Sequence, residues 1–438
     1  MRSFRLAFVG SLVALASLLS GHAAPSGAAT GKCRNLFVEL LGKTDAETDL
    51  KLRAAWQQLF YGDPETQRIF YPIAGDMAYI PDVGNRDVRS EGLSYGMMIC
   101  VQLDHQAEFN QLWRFARTFM FHDSGPMRGY FTWHTAYNGS MTREDGTRIR
   151  GDGPAPDGEE WFVMALFFAS HRWGNGEGIL NYAAEAQALL RTMIHKEEEP
   201  DRGGEMSMFH PVEKQIRFTP EGFGTKFTDA SYHLPAFYEL WARWAADPAD
   251  RAFLAEVAAT SRRFLHKAAH PQTGLMANYS DFEGRGIKGG WMVDEFREDA
   301  WRTLANPAVD WAWWAADPWQ AEQSNRVLTF FAQQPPDDWP DHLRIDGTPL
   351  RRGEKSPGLY AMAAVAGLAA DPALARPFVQ RLWDMKIPDD SGRNPNGIRQ
   401  PGDLRSWRYY DGLLTMLALL EVGGRFQVYS PPAGTTTP

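Results

Sequence analysis

Apolar residues recur at three- and four-residue spacing along most of this chain, the period of helices that each bury one face. The pattern covers 50–60, 92–103, 109–121, 159–171, 182–194, 234–245 and 251–265. It resumes over 300–314, 319–331, 359–370, 373–383 and 410–420. Strand-like alternation is scarce, with 215–218 as one short candidate. Gly-, Pro- and Asp-containing loops separate the segments, and no fixed period of the kind seen in helical solenoids recurs. Loops as long and individually distinct as 139–157 and 276–291 also favour a closed ring over a stack. The predicted fold is all-α, six helical hairpins closed into an (α/α)6 barrel over residues 31–429.

The two ends read differently. Arg2 and Arg5 precede an apolar stretch over 6–19, and His22, Ala23 and Ala24 begin a run of small residues. That order is expected of an export signal, so residues 1–30 are set apart from the fold and a secreted or periplasmic protein is predicted. The apolar run is too short to span a bilayer. No cysteine sits at the likely cleavage point, so a lipid anchor is not expected. Residues 430–438 are rich in Pro and Thr, a composition expected to stay disordered. Cys33 and Cys100 could pair after export. Cys100, however, lies in Met97-Met98-Ile99-Cys100-Val101, where a buried free thiol is expected.

A net charge of −9 argues against nucleic acid as a partner and suits a neutral one. Aromatic residues make up 13% of the chain, and flat rings with a polar edge serve cores and sugar clefts alike. There is no phosphate-binding glycine loop, no H-E-x-x-H and no paired C-x-x-C, so neither a cofactor nor a metal is expected.

What remains is a set of acids at predicted helix starts. In Arg89-Ser90-Glu91-Gly92-Leu93-Ser94-Tyr95-Gly96, Ser90 would cap the helix and Glu91 would sit well in its first turn. Yet Gly92 and Gly96 weaken a helix unless something must come close. A general acid at that place also needs burial or a second carboxylate to stay protonated. In Gly153-Pro154-Ala155-Pro156-Asp157-Gly158-Glu159-Glu160-Trp161, Asp157 and Glu160 have the spacing of a capping box. The Pro-Asp-Gly turn would equally hold a carboxylate rigidly at a helix mouth. Asp299 precedes Arg302 by three residues, the spacing of a surface ion pair. Phe227-Thr228-Asp229-Ala230-Ser231-Tyr232-His233-Leu234-Pro235 adds a polar aromatic cluster, which a satisfied core histidine and tyrosine would also explain.

Taken in order, S-E-G-L-S-Y-G-M-M from Ser90, G-P-A-P-D-G-E-E-W-F from Gly153, T-D-A-S-Y-H-L-P-A-F-Y-E-L from Thr228 and Trp407-Arg408-Tyr409-Tyr410-Asp411-Gly412 resemble glycoside hydrolase family 8. The likeness runs from about Arg34 to Val428, and within the family it is strongest to the reducing-end xylose-releasing exo-oligoxylanases. The resemblance implies an (α/α)6 barrel, no cofactor, and hydrolysis of β-1,4-linked xylo-oligosaccharides with inversion, releasing xylose from the reducing end. It implies Glu91 as general acid, Asp299 as general base and Asp157 as the carboxylate that holds the distorted sugar beside the scissile bond. Tyr232 matches a tyrosine that helps hold the attacking water. Trp133, in Gly129-Tyr130-Phe131-Thr132-Trp133, matches a sugar-stacking ring, and Tyr95 and Arg302 are counted with the substrate contacts. The base is matched through D-x-x-R followed by Asn306 and Asp310, the least similar stretch, where Glu298 and Asp294 compete for the role. A monomer without membrane anchor is expected.

Inversion needs an acid and a base on opposite sides of the anomeric carbon, roughly 6.5–9.5 Å apart. Asp157 beside Glu91 would supply the like charge that keeps the acid protonated. One stretch departs from the pattern. The exo-oligoxylanases close one end of the cleft with a Leu-His-Pro segment that selects the reducing end. Here the corresponding residues are Glu354-Lys355-Ser356-Pro357-Gly358-Leu359, shorter and without that histidine. An endo-acting β-1,4-xylanase or β-1,4-glucanase of the same family is therefore the alternative. A non-catalytic sugar-binding protein is a further one, against which the three carboxylates argue.

Overall fold

The computed structural model describes residues 27–336, 338–351, 356–391 and 407–432. Residues 1–26 of the expected export signal, 433–438 of the expected tail, and Glu354 and Lys355 of the departing stretch lie outside the described residues.

Twelve helices among the described residues build the barrel: α1 (Asp45–Tyr61), α2 (Ser90–Leu103), α3 (Gln106–Phe115), α4 (Pro156–Trp173), α5 (Tyr182–His195), α6 (Pro235–Trp244), α7 (Pro248–Ala268), α8 (Asn306–Trp314), α9 (Trp319–Ala332), α10 (Pro357–Ala366), α11 (Pro372–Asp384) and α12 (Tyr410–Val422). The even-numbered helices form an inner ring and the odd-numbered ones coat it. α2 packs on α4, α6 on α8, α10 on α12, and α12 returns to α2 to close the circle. This is the predicted (α/α)6 barrel.

Burial separates the two layers. Every residue of α12 except Tyr410 is buried, as expected of a helix surrounded by others. The outer α3 buries a stripe of Phe109, Leu112, Trp113 and Phe115 and leaves its other face polar. Between inner helices the packing is aromatic. The Trp161 ring lies 5.1 Å from Phe237 and 4.8 Å from Tyr95, both edge-on. Each such ring contributes roughly 3 kcal/mol through burial.

Helix starts are well specified. Thr44 and Glu47 form a reciprocal capping box at α1, with bonds of 3.1 and 2.8 Å. Proline opens α4, α6, α7, α10 and α11, where its missing N–H costs nothing.

The structure corrects three sequence expectations. The segment 300–314 is not one helix: Glu298–Leu304 is a 3-10 turn and α8 starts afresh at Asn306. Pro307 explains the break, since mid-helix it would remove a hydrogen bond and clash with the preceding turn. The segment 109–121 ends in a π-helical turn, Ala116–Met120. The candidate strand 215–218 contributes a single bridge, Phe209 to Ile216. Cys33 and Cys100 are both free thiols, Cys100 buried and Cys33 donating to the Phe426 carbonyl at 3.1 Å. A helical turn at Gly27–Thr30 packs against α8, where a Cβ on Gly27 would lie 2.9 Å from the Ala312 carbonyl oxygen. No helix of the described residues is long and apolar enough to cross a membrane.

Candidate active site

The site is assembled where the inner helices begin. Residues at or just before the starts of α2, α4, α6, α8, α10 and α12 meet at one mouth of the barrel. Short strands brace the mouth. Asp87–Arg89 pairs with His134–Thr135, and the Ser90 amide donates to the Trp133 carbonyl at 3.0 Å, which fixes Glu91 beside Trp133.

Two expected caps are absent. α2 begins at Ser90 itself, with Arg89 in the cap position and no side-chain cap bond. The Ser90 hydroxyl faces Gly158, where a Cβ would come within 2.3 Å, so the starts of α2 and α4 touch. α4 begins at Pro156 with Ala155 in the cap position, again without a side-chain bond. Asp157 turns instead to Arg302, and Glu160 accepts from the Tyr238 hydroxyl. A stronger partner has taken each side chain from its local role.

Arg302 is the centre of the arrangement and only 5% exposed. Its Nη1 lies 3.0 Å from Asp157 Oδ2 and 3.5 Å from Glu91 Oε2, and it also donates to the Tyr95 hydroxyl. Its Nη2 lies 3.3 Å from Asp299 Oδ1, and its Nε donates to the Asp299 carbonyl at 3.3 Å. The expected i,i+3 pair of Asp299 and Arg302 therefore exists, buried rather than on the surface. Tyr95 and Arg302, expected as substrate contacts, lie behind the carboxylates and line neither chamber of the cleft. Tyr95 is fully buried.

Those chambers, of about 350 and 220 Å³, share Arg89, Glu91 and Asp299. Trp133, Asp157 and Tyr232 line the first, and Glu298, Tyr409 and Tyr410 the second. Glu91 and Asp299 thus stand where the two chambers meet.

Burial acts on both carboxylates in the same direction. Burial pushes the Glu91 carboxyl up to about 8, against the pull of Arg302 and helped by Asp157 and Asp299. The preference of a helix N-terminus for a charged carboxylate is outweighed. Burial raises the Asp299 carboxyl as well, and the opposing pull of Arg302 leaves it raised. Asp299 is the most open of the three, its side chain 31% exposed against 13% for Glu91 and 8% for Asp157. One acid holds a proton near neutral pH, and the other is reachable by water.

The competitors for the base are otherwise engaged. Glu298 pairs with Arg297 at 2.8 Å and His342 at 2.9 Å, and its backbone sits at φ 34°, in the left-handed region. Asp294 pairs with Lys288 at 3.3 Å and lines neither chamber. Asp310 is bound by Arg262 through bonds of 2.7 and 2.8 Å. His233 is a satisfied core histidine, bonded to Ser261 at 2.9 Å and Thr228 at 3.0 Å. Tyr232 lies at the wall of the first chamber, more than nine-tenths buried.

Three participants were not singled out from sequence. The Tyr409 hydroxyl donates to Glu91 Oε1 at 3.1 Å. Arg89, held by Asp82 and Asp87 at 3.2 and 3.1 Å, lies 5.3 Å from the Trp133 ring. Asp229 is fully buried, and burial followed by the Asp299 charge raises its carboxyl. All three stand inside or beside the quoted motifs, which is the signal that could have found them.

Comparison with known proteins agrees with this geometry. The pattern of Glycosyl hydrolases family 8 matches residues 80–386. Rex8A of Paenibacillus barcinonensis, a reducing-end xylose-releasing exo-oligoxylanase, is 42% identical over 403 residues, 91% of this chain and 97% of its own. The reducing end xylose-releasing exo-oligoxylanase of Halalkalibacterium halodurans is 39% identical over 92% of this chain and 96% of its own. Among solved structures, the xylohexaose complex of a catalytic-mutant xylanase from Teredinibacter turnerae has a TM-score of 0.81 at 42% identity, covering 93% of this chain and 100% of that one. With a matching family pattern over residues 80–386 and relatives this similar along nearly their whole length, this chain belongs to glycosyl hydrolase family 8 and is a glycoside hydrolase.

Proposed function

We propose that the protein hydrolyses β-1,4-linked xylo-oligosaccharides with inversion and releases xylose from the reducing end. The observation that carries this is the placement of Glu91 and Asp299 at the junction of two chambers, leaning on opposite nitrogens of one guanidinium. A sugar chain lying through both chambers has its scissile bond between them. Glu91 gives its proton to the glycosidic oxygen as the C1–O bond breaks. Asp299 takes a proton from a water that attacks C1 from the opposite face, and the new hydroxyl is left on the inverted side. Asp157 and Tyr232 line the chamber of the sugar that reacts, and Trp133 gives it a flat face. The names of the relatives from Paenibacillus and Halalkalibacterium support xylose release from the reducing end.

An endo-acting β-1,4-xylanase is the second reading. It is supported by the equally similar Teredinibacter xylanase and by the absence of the Leu-His-Pro segment before Ser356. Incubating xylobiose to xylohexaose, labelled with ¹⁸O at the reducing end, separates the two. Labelled xylose as the first product at every length is expected. Early labelled xylobiose or xylotriose from xylohexaose, with fast viscosity loss of polymeric xylan, overturns the exo reading. Proton NMR in the first minutes should show the α-anomer at the new reducing end.

The protein acts after export, a reading supported by the arginine start and apolar run of residues 1–30.

A further inference from the structure

An exposed aromatic residue standing alone needs no explanation. Trp291 does not stand alone. It is 62% exposed, yet its ring lies 5.4 Å from Phe218, 5.2 Å from Tyr279 and 6.3 Å from Phe227. Phe218 and Tyr279 line the first chamber. Phe218 in turn stacks on Tyr232, with centroids 5.9 Å apart and planes at 12°. A row of rings therefore leads outward from the reacting sugar: Tyr232, Phe218, Trp291. Each step is about the length of one pyranose unit.

The backbone presents the last ring deliberately. Gly289 and Met292 bond each other at 3.2 and 3.1 Å, with Gly290 at φ 62° in the bend, so Trp291 sits at a hairpin tip. The hairpin is anchored on Tyr279, whose carbonyl accepts from the Ile287 amide at 2.9 Å. Thr219 and Glu221, also on the first chamber, supply acceptors for sugar hydroxyls along the same wall.

We propose that Trp291 forms a remote glycone subsite, continuous through Phe218 with the first chamber, which binds the non-reducing part of xylose chains longer than the cleft itself holds. The proposal rests on the xylo-oligosaccharide reading above. It adds that chain length is recognised away from the reacting bond.

The test is the length dependence of turnover in the full chain. Trp291→Ala should lower the ratio of kcat/KM for xylohexaose to that for xylobiose by about tenfold, mainly through KM. Trp291→Phe should restore most of the ratio. An unchanged ratio overturns the subsite, whether both substrates are unaffected or both lose equally. If the wild type cleaves no xylo-oligosaccharide, the proposed function falls, and the subsite is judged by calorimetry. Xylotriose and xylohexaose would be titrated into Glu91→Ala with and without Trp291→Ala. Equal affinities for xylohexaose in the two proteins overturn it, and a selective loss for xylohexaose upholds it.

Discussion

The Tyr409 hydroxyl donates to Glu91 Oε1 at 3.1 Å, joining the residue before the last inner helix to the start of the first. Glycine at position 92 makes this possible, since a Cβ there would lie 2.5 Å from the Tyr409 ring. Gly92→Ala should displace the tyrosine and cut kcat on xylotriose by about tenfold or more, and Tyr409→Phe should cost a similar factor. Steady-state kinetics, with circular dichroism to verify folding, are the check. Wild-type kcat in both variants would refute the link.

Catalysis needs Glu91 protonated, and burial has raised its carboxyl to about 8. The alkaline limb of kcat/KM against pH should therefore fall with an apparent pKa near 8. Asp157 is one of the charges that raise it, so Asp157→Asn should move this limb to lower pH in the residual activity. A shift to higher pH would contradict the assignment of the acid.

Asp299→Asn should lower kcat by about a thousandfold or more, because the attacking water loses its proton acceptor. Glu298→Gln, one residue away, weakens ion pairs to Arg297 and His342 and should cost less than about tenfold. The opposite ranking in single-turnover assays would move the base by one residue.

Behind the cleft, Arg302 pairs with Asp157 at 3.0 Å and Asp299 at 3.3 Å and lies 3.5 Å from Glu91. Arg302→Met would leave them without their cation and should destabilise the fold by about 3–5 kcal/mol at pH 7.5. Burial already favours the neutral forms of Glu91 and Asp299, so lowering the pH to 5 should shrink the deficit. Urea denaturation at the two pH values measures it, and an equal deficit at both would show that the carboxylates are not the cause.

Glu421 is a buried acid of α12, and burial alone raises its carboxyl to about 8. Its folded value lies above its unfolded one, so folding takes up a proton between them. The associated stability is fully present below about pH 4.5 and is lost as pH rises through 8. Glu421→Gln should flatten this fall, on the order of a few kcal/mol across the range. Melting temperatures at pH 5 and 8 check it: the wild type should drop further than the variant.

The barrel was legible because outer helices such as α3 alternate an apolar and a polar face while inner ones such as α12 are apolar nearly all round, and the twelve predicted segments all contain helix. The break at 305 was not, since Pro307 was compatible with either a helix start or an interruption. At the site, residue types and motifs pointed to Glu91, Asp157 and Asp299, but local rules assigned caps that do not form around the first two. Ser90 and Glu160 have the right spacing for capping, yet neither caps. Arg302, distant in sequence, takes Asp157 Oδ2 while the Gly158 amide keeps Oδ1, and Tyr238 takes Glu160 from the expected cap. Tyr409 escaped notice for the same reason: its link to Glu91 depends on ring closure, which no local pattern encodes.

That closure makes catalysis a late event in the life of the chain. The acid enters with the first inner helix, the base with the turn before the fourth, and the tyrosine that steadies the acid with the sixth. No contiguous fragment carries a working site. A chain cut short before Tyr409 would lack the hydroxyl that meets Glu91 and the helix that closes the ring on α2, so loss of activity on C-terminal truncation would report the loss of closure.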